Sequence, residues 1–164
     1  MATTNFKGAS AHTNGPLPSL GSNAPDFTLV GADLAEKSLS DFSGQTVVLT
    51  INPSYDTGTC QAAARHFNSE LSKKEGVTGL MISADLPFAQ KRFCTAEGLD
   101  GIVPLSTYRS SFARDYGVEL VDSPLVGLTA RAVVVLDGTG VVKYTQLVDE
   151  ITSEPDYEAA LAAL

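Results

Sequence analysis

The sequence predicts an α/β sandwich with a mixed central sheet and an N-terminal hairpin. Three observations carry this: β-branched runs that read as strands covered on both faces, helical patterns set between them, and a hairpin signal near the C-terminus. The covered strands are Thr46–Ile51, Val77–Ser83 and Arg131–Leu136. The hairpin signal is Asp137-Gly138-Thr139-Gly140, followed by a further strand from Val141 to Val148.

The other elements follow along the chain. Met1–Pro25 is polar, with Gly15-Pro16 as a turn signal, and is read as the hairpin preceding the body of the domain. Asp26–Val30 reads as a short strand. The pattern predicts helices over Cys60–Leu71, over Leu86–Ala96 ending at Gly98, and over Ser110–Tyr116 ending at Gly117. A last helix is expected from near Ser153, with Asp156 as a capping partner, through Ala159–Leu164. There is no internal repeat and no low-complexity tract, so residues 1–164 are read as a single domain. The thioredoxin fold is the commonest arrangement with this element order.

Composition excludes several function classes. The 164 residues carry a formal net charge of −8, with a pI near 4.6 and mean hydropathy of +0.06. Such an acidic chain offers phosphate no electrostatic footprint, so neither nucleic acid nor an anionic membrane surface is expected as a partner. No apolar run approaches the roughly 20 residues that cross a bilayer, and Met1–Ser10 shows no signal-peptide pattern. Two cysteines are too few for a disulfide scaffold or a thiolate zinc site, and they form no C-x-x-C. They are either two buried thiols or a working pair.

The informative stretch is Asn52-Pro-Ser-Tyr-Asp-Thr-Gly-Thr-Cys60, joining a buried strand to a helix. Pro53 stops the strand, Asp56 or Thr57 can cap the helix, and Cys60 falls in its first turn. There, unpaired backbone N–H groups and the positive end of the helix dipole favour a thiolate. Cys60, Ala63, Ala64, Phe67 and Leu71 share one stripe of the helix. This places the sulfur in a shallow, partly dry pocket open to a small substrate. A lone cysteine of this kind is otherwise a small buried hydrophobe.

This stretch resembles the active site of the peroxiredoxins, Pro-x-x-x-Thr/Ser-x-x-Cys, which Pro53, Thr57 and Cys60 match position for position. Further stretches are similar to the thiol peroxidase branch, whose members use two cysteines. They are Ser83–Gln90, Arg92-Phe-Cys94, Gly127–Val135 and Gln146–Thr152. The resemblance implies that Cys60 is the peroxidatic cysteine, attacking hydrogen peroxide or organic hydroperoxides. It implies that Thr57 positions peroxide and thiolate, that Arg131 completes the site, and that Pro53 shapes and shields the substrate pocket. Arg131 would otherwise be a solvated strand-end charge. Charge moving onto the leaving oxygen is stabilised by donors aimed at it, which suits a guanidinium. Asn52 is a departure, since this branch is expected to carry a larger apolar residue there. Tyr55 and Thr59 are loop variables bearing on substrate preference.

A sulfenic acid left by peroxide must be captured before further oxidation, and Cys94 is the one other thiol. The helical wheel puts Phe88, Ala89, Phe93 and Ala96 on one side and Cys94 with Gln90 and Glu97 on the other. That placement favours a working thiol over core filler. Two cysteines in separate helices are not expected within the roughly 7 Å a disulfide needs, so oxidation would require local unwinding. The resemblance implies that Cys94 is the resolving cysteine, that a thioredoxin-type donor reduces the Cys60–Cys94 disulfide, and that the protein is a homodimer. A static structural disulfide and a redox sensor on the same fold are the alternatives. Because the cycle regenerates thiols, the expected compartment is the cytoplasm, with the periplasm left open.

His12 and His66 lack any metal-ligand pattern, and adjacent Asp149 and Glu150 form no acid/base pair. No metal and no organic cofactor is expected.

Overall fold

The computed structural model describes Met1–Leu164. Its main sheet has seven strands in the order β4-β3-β7-β6-β5-β8-β9. These are β3 (Thr28–Gly31), β4 (Glu36–Ser38), β5 (Thr46–Ile51), β6 (Val77–Ser83), β7 (Ile102–Ser106), β8 (Ala132–Leu136) and β9 (Val142–Leu147). The strands β5, β6 and β7 are mutually parallel, and every other pairing is antiparallel. The helices are α1 (Gly58–Leu71), α2 (Pro87–Glu97), α3 (Phe112–Asp115) and α4 (Tyr157–Ala162). This is the mixed-sheet α/β sandwich expected from the sequence.

The β-branched runs fall where they do because both faces of the central strands are covered. One face packs Leu49, Ile51, Leu80, Ile82 and Val134 with Phe27, Phe112 and Tyr116. The other packs Val48, Val133 and Val135 against Phe67 and Leu71 of α1 and Ala160 of α4. Each such side chain removed from water contributes about 1.5–3 kcal/mol. The buried residues of α1 are Cys60, Ala63, Ala64, Phe67 and Leu71, the predicted stripe.

Four local expectations are corrected. The N-terminal hairpin, β1 (Thr3–Phe6) with β2 (Ala9–His12), turns at Lys7-Gly8 rather than Gly15-Pro16. Both turn residues have positive φ, 53° and 78°, the geometry whose twist suits a two-residue hairpin loop. The last helix starts at Tyr157, and Asp156 is itself the cap, accepting from the Ala159 N–H at 3.0 Å. The helix before Gly117 is a single turn, α3. Gly117 is required there, because a Cβ would lie 1.9 Å from the Pro16 carbonyl oxygen. Finally, α2 turns a different face inward: Phe88 is 68% exposed, while Pro87 and Gln90 are buried. The buried Gln90 amide donates to Ser83 Oγ and to the Leu105 carbonyl, both at 3.0 Å. These bonds fix the helix on its polar anchor.

The hairpin is tied to the chain following β9. Thr4 Oγ1 donates to the Val148 carbonyl at 2.7 Å, and the Ile151 N–H donates to the Asn5 carbonyl at 2.8 Å. The Glu150 carboxylate accepts the N–H groups of Lys7 and Gly8 at 3.0 and 2.9 Å. Asp137-Gly-Thr-Gly140 is the predicted hairpin turn, its Asp137 carboxylate accepting from Thr139 and Val141 N–H groups. No helix is long and apolar enough to cross a membrane.

Candidate active site

Three chain segments meet at the C-terminal end of β5. The strand stops because Pro53 has no N–H to continue the ladder. The chain turns through Ser54–Asp56 and enters α1 with Thr57 at the N-cap position. Cys60 then lies three residues into the helix and has no exposed surface. On the adjacent antiparallel strand, Ile51 pairs with Ala132. One step further out, Asn52 and Arg131 face each other at the open end of the sheet.

Arg131 is 2% exposed, not a solvated strand-end charge. All three of its guanidinium nitrogens donate. Nε bonds the Ile151 carbonyl at 2.7 Å, Nη1 bonds Asn52 Oδ1 at 2.6 Å, and Nη2 bonds Cys60 Sγ at 3.2 Å. It makes no ion pair with a carboxylate. The guanidinium therefore sets a full positive charge against the sulfur at the first turn of α1, where the helix dipole points the same way.

Beside this pair is a cavity of about 160 Å³ lined by Pro53, Thr57 and Arg131 with Phe6, Leu125 and Ile151 among the apolar walls. Phe6 comes from the hairpin and Ile151 from the segment the hairpin binds. Thr57 is exposed, and its hydroxyl donates to the Ser54 carbonyl at 3.0 Å rather than capping the helix. Thr59 Oγ1 ties the first turn to the Thr152 carbonyl at 3.1 Å. Pro53, Thr57, Cys60 and Arg131 are thus gathered at one place. The sulfur, expected at the floor of an open pocket, is instead fully covered in this conformation. Arg131 is what the cavity reaches first.

The loop is held from below by Asp85, whose carboxylate accepts from Ser54 Oγ at 2.8 Å, the Tyr55 N–H at 2.7 Å and Ser83 Oγ at 2.8 Å. Tyr55 is buried. Burial, and next the neighbouring Cys60, push its phenol well above the ordinary range, so it stays neutral. Its hydroxyl accepts from Asn52 Nδ2 at 2.7 Å, and its ring stacks on Phe93 of α2 with centroids 5.7 Å apart.

Cys94 lies in the last turn of α2 on the half-buried inward side, not across from it. Tyr55, Cys60, Ala64 and Met81 form one apolar cluster, and Phe93 and Cys94 pack against it. Cys94 Sγ is 4.0 Å from Met81 Sδ, and both cysteines are free thiols. Burial pushes the Cys94 thiol up to about 11. A surface groove lined by Ala32, Lys91, Thr95 and Pro104 reaches Cys94 from outside. Sequence reasoning missed Asn52 and Tyr55 as site residues. The available signal was Thr50 and Asn52, two polar residues on one face at the end of an otherwise apolar buried strand.

Among side chains that could hold a metal ion, no cluster of three or more is present. The fold and the buried cysteine–arginine pair define a thioredoxin-fold thiol enzyme. Comparison with known proteins narrows the class. Residues 19–161 match the Redoxin family model. The chain is 52% identical to a thiol peroxidase of Corynebacterium glutamicum, over 100% of this chain and 99% of that protein. It is 51% identical to one from Mycobacterium tuberculosis over the same shares. A solved peroxiredoxin-like protein from Aquifex aeolicus superposes with a TM-score of 0.93 at 37% identity, covering 99% of this chain and 96% of that one. A thiol peroxidase from Chromobacterium violaceum shares the fold, with a TM-score of 0.90 at 24% identity over 98% and 93% of the two chains. The chain belongs to the Redoxin family, in its thiol peroxidase branch, and is a peroxidase that reduces peroxides through thiol chemistry.

Proposed function

We propose that Cys60 is the peroxidatic thiol, Cys94 the resolving thiol, and a thioredoxin-type dithiol the electron donor. The observation carrying this reading is the 3.2 Å contact between Arg131 Nη2 and Cys60 Sγ inside a buried site. The Cys60 thiolate attacks one peroxide oxygen and the O–O bond breaks. The electron pair leaves with the distal oxygen, which takes a proton and departs as water or an alcohol. Arg131, at the junction of sulfur and cavity, stabilises the charge passing from sulfur to oxygen. The Thr57 hydroxyl, on the same cavity, orients the peroxide, and Pro53 walls it from water.

The product is a Cys60 sulfenic acid. Cys94 attacks its sulfur, the S–O bond breaks, and water leaves as the disulfide forms. Because Cys94 sits within α2, and Tyr55 stacks on the neighbouring Phe93, this step requires that the stack part and the end of the helix unwind. The donor dithiol then attacks the disulfide through a mixed intermediate and restores both thiols. The groove at Cys94 is open to such a donor. The apolar walls of the cavity suit organic hydroperoxides as well as hydrogen peroxide. The protein acts as a homodimer in the reducing cytoplasm, and its cycle needs no bound cofactor.

The test is turnover with a thioredoxin, its reductase and NADPH. Wild-type protein should consume hydrogen peroxide and cumene hydroperoxide catalytically. Cys60→Ser should be inactive, and Cys94→Ser should complete one turnover and stop. Sustained turnover by Cys60→Ser would refute the assignment.

A further inference from the structure

The most densely bonded group that this cycle does not use is the buried polar pair beneath the guanidinium. Asn52 is 1% exposed and Tyr55 2% exposed. Asn52 Nδ2 donates to Tyr55 Oη at 2.7 Å and to Thr50 Oγ1 at 3.2 Å. Tyr55 Oη in turn donates to the Thr50 carbonyl at 3.3 Å. With its nitrogen committed to two acceptors, the amide has one orientation, and Oδ1 faces Arg131. The Asn52 carbonyl is also fixed, accepting from Thr129 Oγ1 at 2.7 Å.

A guanidinium is a planar fork. Holding Nε on the Ile151 carbonyl and Nη1 on Asn52 Oδ1 fixes its plane, and that plane directs Nη2 at the sulfur. The chemistry of the holder matters as much as its place. A buried arginine is ordinarily paired with a carboxylate, which cancels its charge. Here every holder is neutral. The ionisable groups around the pair are Tyr55, Cys60 and Arg131, with Asp85 engaged by the Tyr55 backbone and Ser83 and with Tyr157 within electrostatic reach of Arg131. Position 52 is also where the sequence departs from the apolar residue expected of its branch, and an apolar side chain could not accept from Nη1.

We propose that Asn52, oriented by Tyr55, is a positioning residue of the peroxidatic step, holding Arg131 against Cys60 with a neutral acceptor that leaves the guanidinium charge uncancelled. The inference rests on the assignment of Cys60 and Arg131 above.

The experiment uses Asn52→Asp, Asn52→Leu and Tyr55→Phe, with two readouts besides thermal melting. One is the rate constant for reaction of the reduced protein with hydrogen peroxide. The other is the pH profile of Cys60 alkylation by iodoacetamide, read in a Cys94→Ser background. Asn52→Asp places a carboxylate on the guanidinium and should slow the peroxide reaction about 100-fold, moving the alkylation profile about one pH unit upward. Asn52→Leu loses one holder and should cost about tenfold. Tyr55→Phe frees the amide to turn and should cost several-fold, with the profile moved in the same direction. A merely structural role would lower the melting temperature and leave the alkylation profile in place. Folded Asn52 variants with wild-type rate and profile overturn the inference. Should Asn52→Asp not fold, an unmoved profile in Tyr55→Phe overturns it instead. If wild-type protein reacts with peroxide no faster than free cysteine, yet the alkylation profile follows position 52, the peroxidatic assignment falls and the positioning stands.

Discussion

Replacing Arg131 separates charge stabilisation at the sulfur from ordinary packing. In Arg131→Met the side chain keeps its bulk along the buried stem but loses the donors to Cys60, Asn52 and Ile151. At an effective dielectric near 20, two unit charges about 4 Å apart interact by about 4 kcal/mol. The guanidinium nitrogen is 3.2 Å from the sulfur. Since each 1.36 kcal/mol is about tenfold in rate, an interaction of about 4 kcal/mol corresponds to a loss of about 1,000-fold. Removal of one preorganised donor elsewhere costs about 100- to 1,000-fold, the same range. Arg131→Met should therefore react with hydrogen peroxide about 100- to 1,000-fold more slowly, measured by single-turnover quenched flow on reduced protein. It should also melt lower, because the Ile151 carbonyl and Asn52 Oδ1 lose their donor at about 1–3 kcal/mol each. Arg131→Lys keeps the charge but not the fork. Its loss should be about tenfold, with most of the stability retained. A folded Arg131→Met protein within about threefold of wild type would refute the electrostatic reasoning.

Two further outcomes follow from ionisable groups outside that pair. Burial raises the Cys94 thiol from 9.0 to about 11 in the folded protein. The stability that comes from keeping it protonated is complete below about pH 9 and is lost as pH rises toward about 11. Resolution of the sulfenic acid, followed by mass after rapid quenching, should therefore accelerate with pH and continue to do so past about 9. Levelling at or below about 9 would contradict a packed Cys94. Glu150 shifts the opposite way, because N–H donors from Gly8 and Thr152 lower its carboxylate from 4.5 to about 2. Its grip on the hairpin is complete above about pH 4.5 and is lost as pH falls toward about 2. Glu150→Gln should speed amide exchange over Thr3–His12 at neutral pH and raise KM, since Phe6 forms a wall of the cavity. Unchanged exchange would show that the carboxylate does not hold the hairpin.

The strands β5 and β6 were legible to the residue, because β5 is a nearly continuous β-branched run and β6 is an apolar stretch of strand length. Strand β7 was not, because Pro104 interrupts its pattern. The structure accommodates the proline because β3 pairs only with Leu105 and Ser106, leaving Pro104 beyond that ladder. Strand β4 is three polar residues at the sheet edge and has no periodicity to read. Among the site residues, Pro53, Thr57 and Cys60 lie within one short segment, and a linear motif shows them together. The contact of Arg131 with Asn52 arises from the antiparallel register of β5 and β8, which no local pattern encodes. The inward face of α2 was misjudged for a related reason. A wheel centred on Phe88 and Phe93 follows apolarity, whereas the helix docks through Gln90, whose amide finds Ser83 and Leu105 in the folded chain.

In the proposed cycle Cys60 takes the oxygen and Cys94 releases it. One equivalent of hydrogen peroxide added to reduced protein, followed by intact mass, tests this most directly. Wild-type protein should rapidly lose two hydrogens, Cys60→Ser should not react, and Cys94→Ser should gain one or two oxygens at Cys60. A wild-type protein that gains oxygen without losing two hydrogens, or that reacts as fast without Cys60, would contradict the cycle.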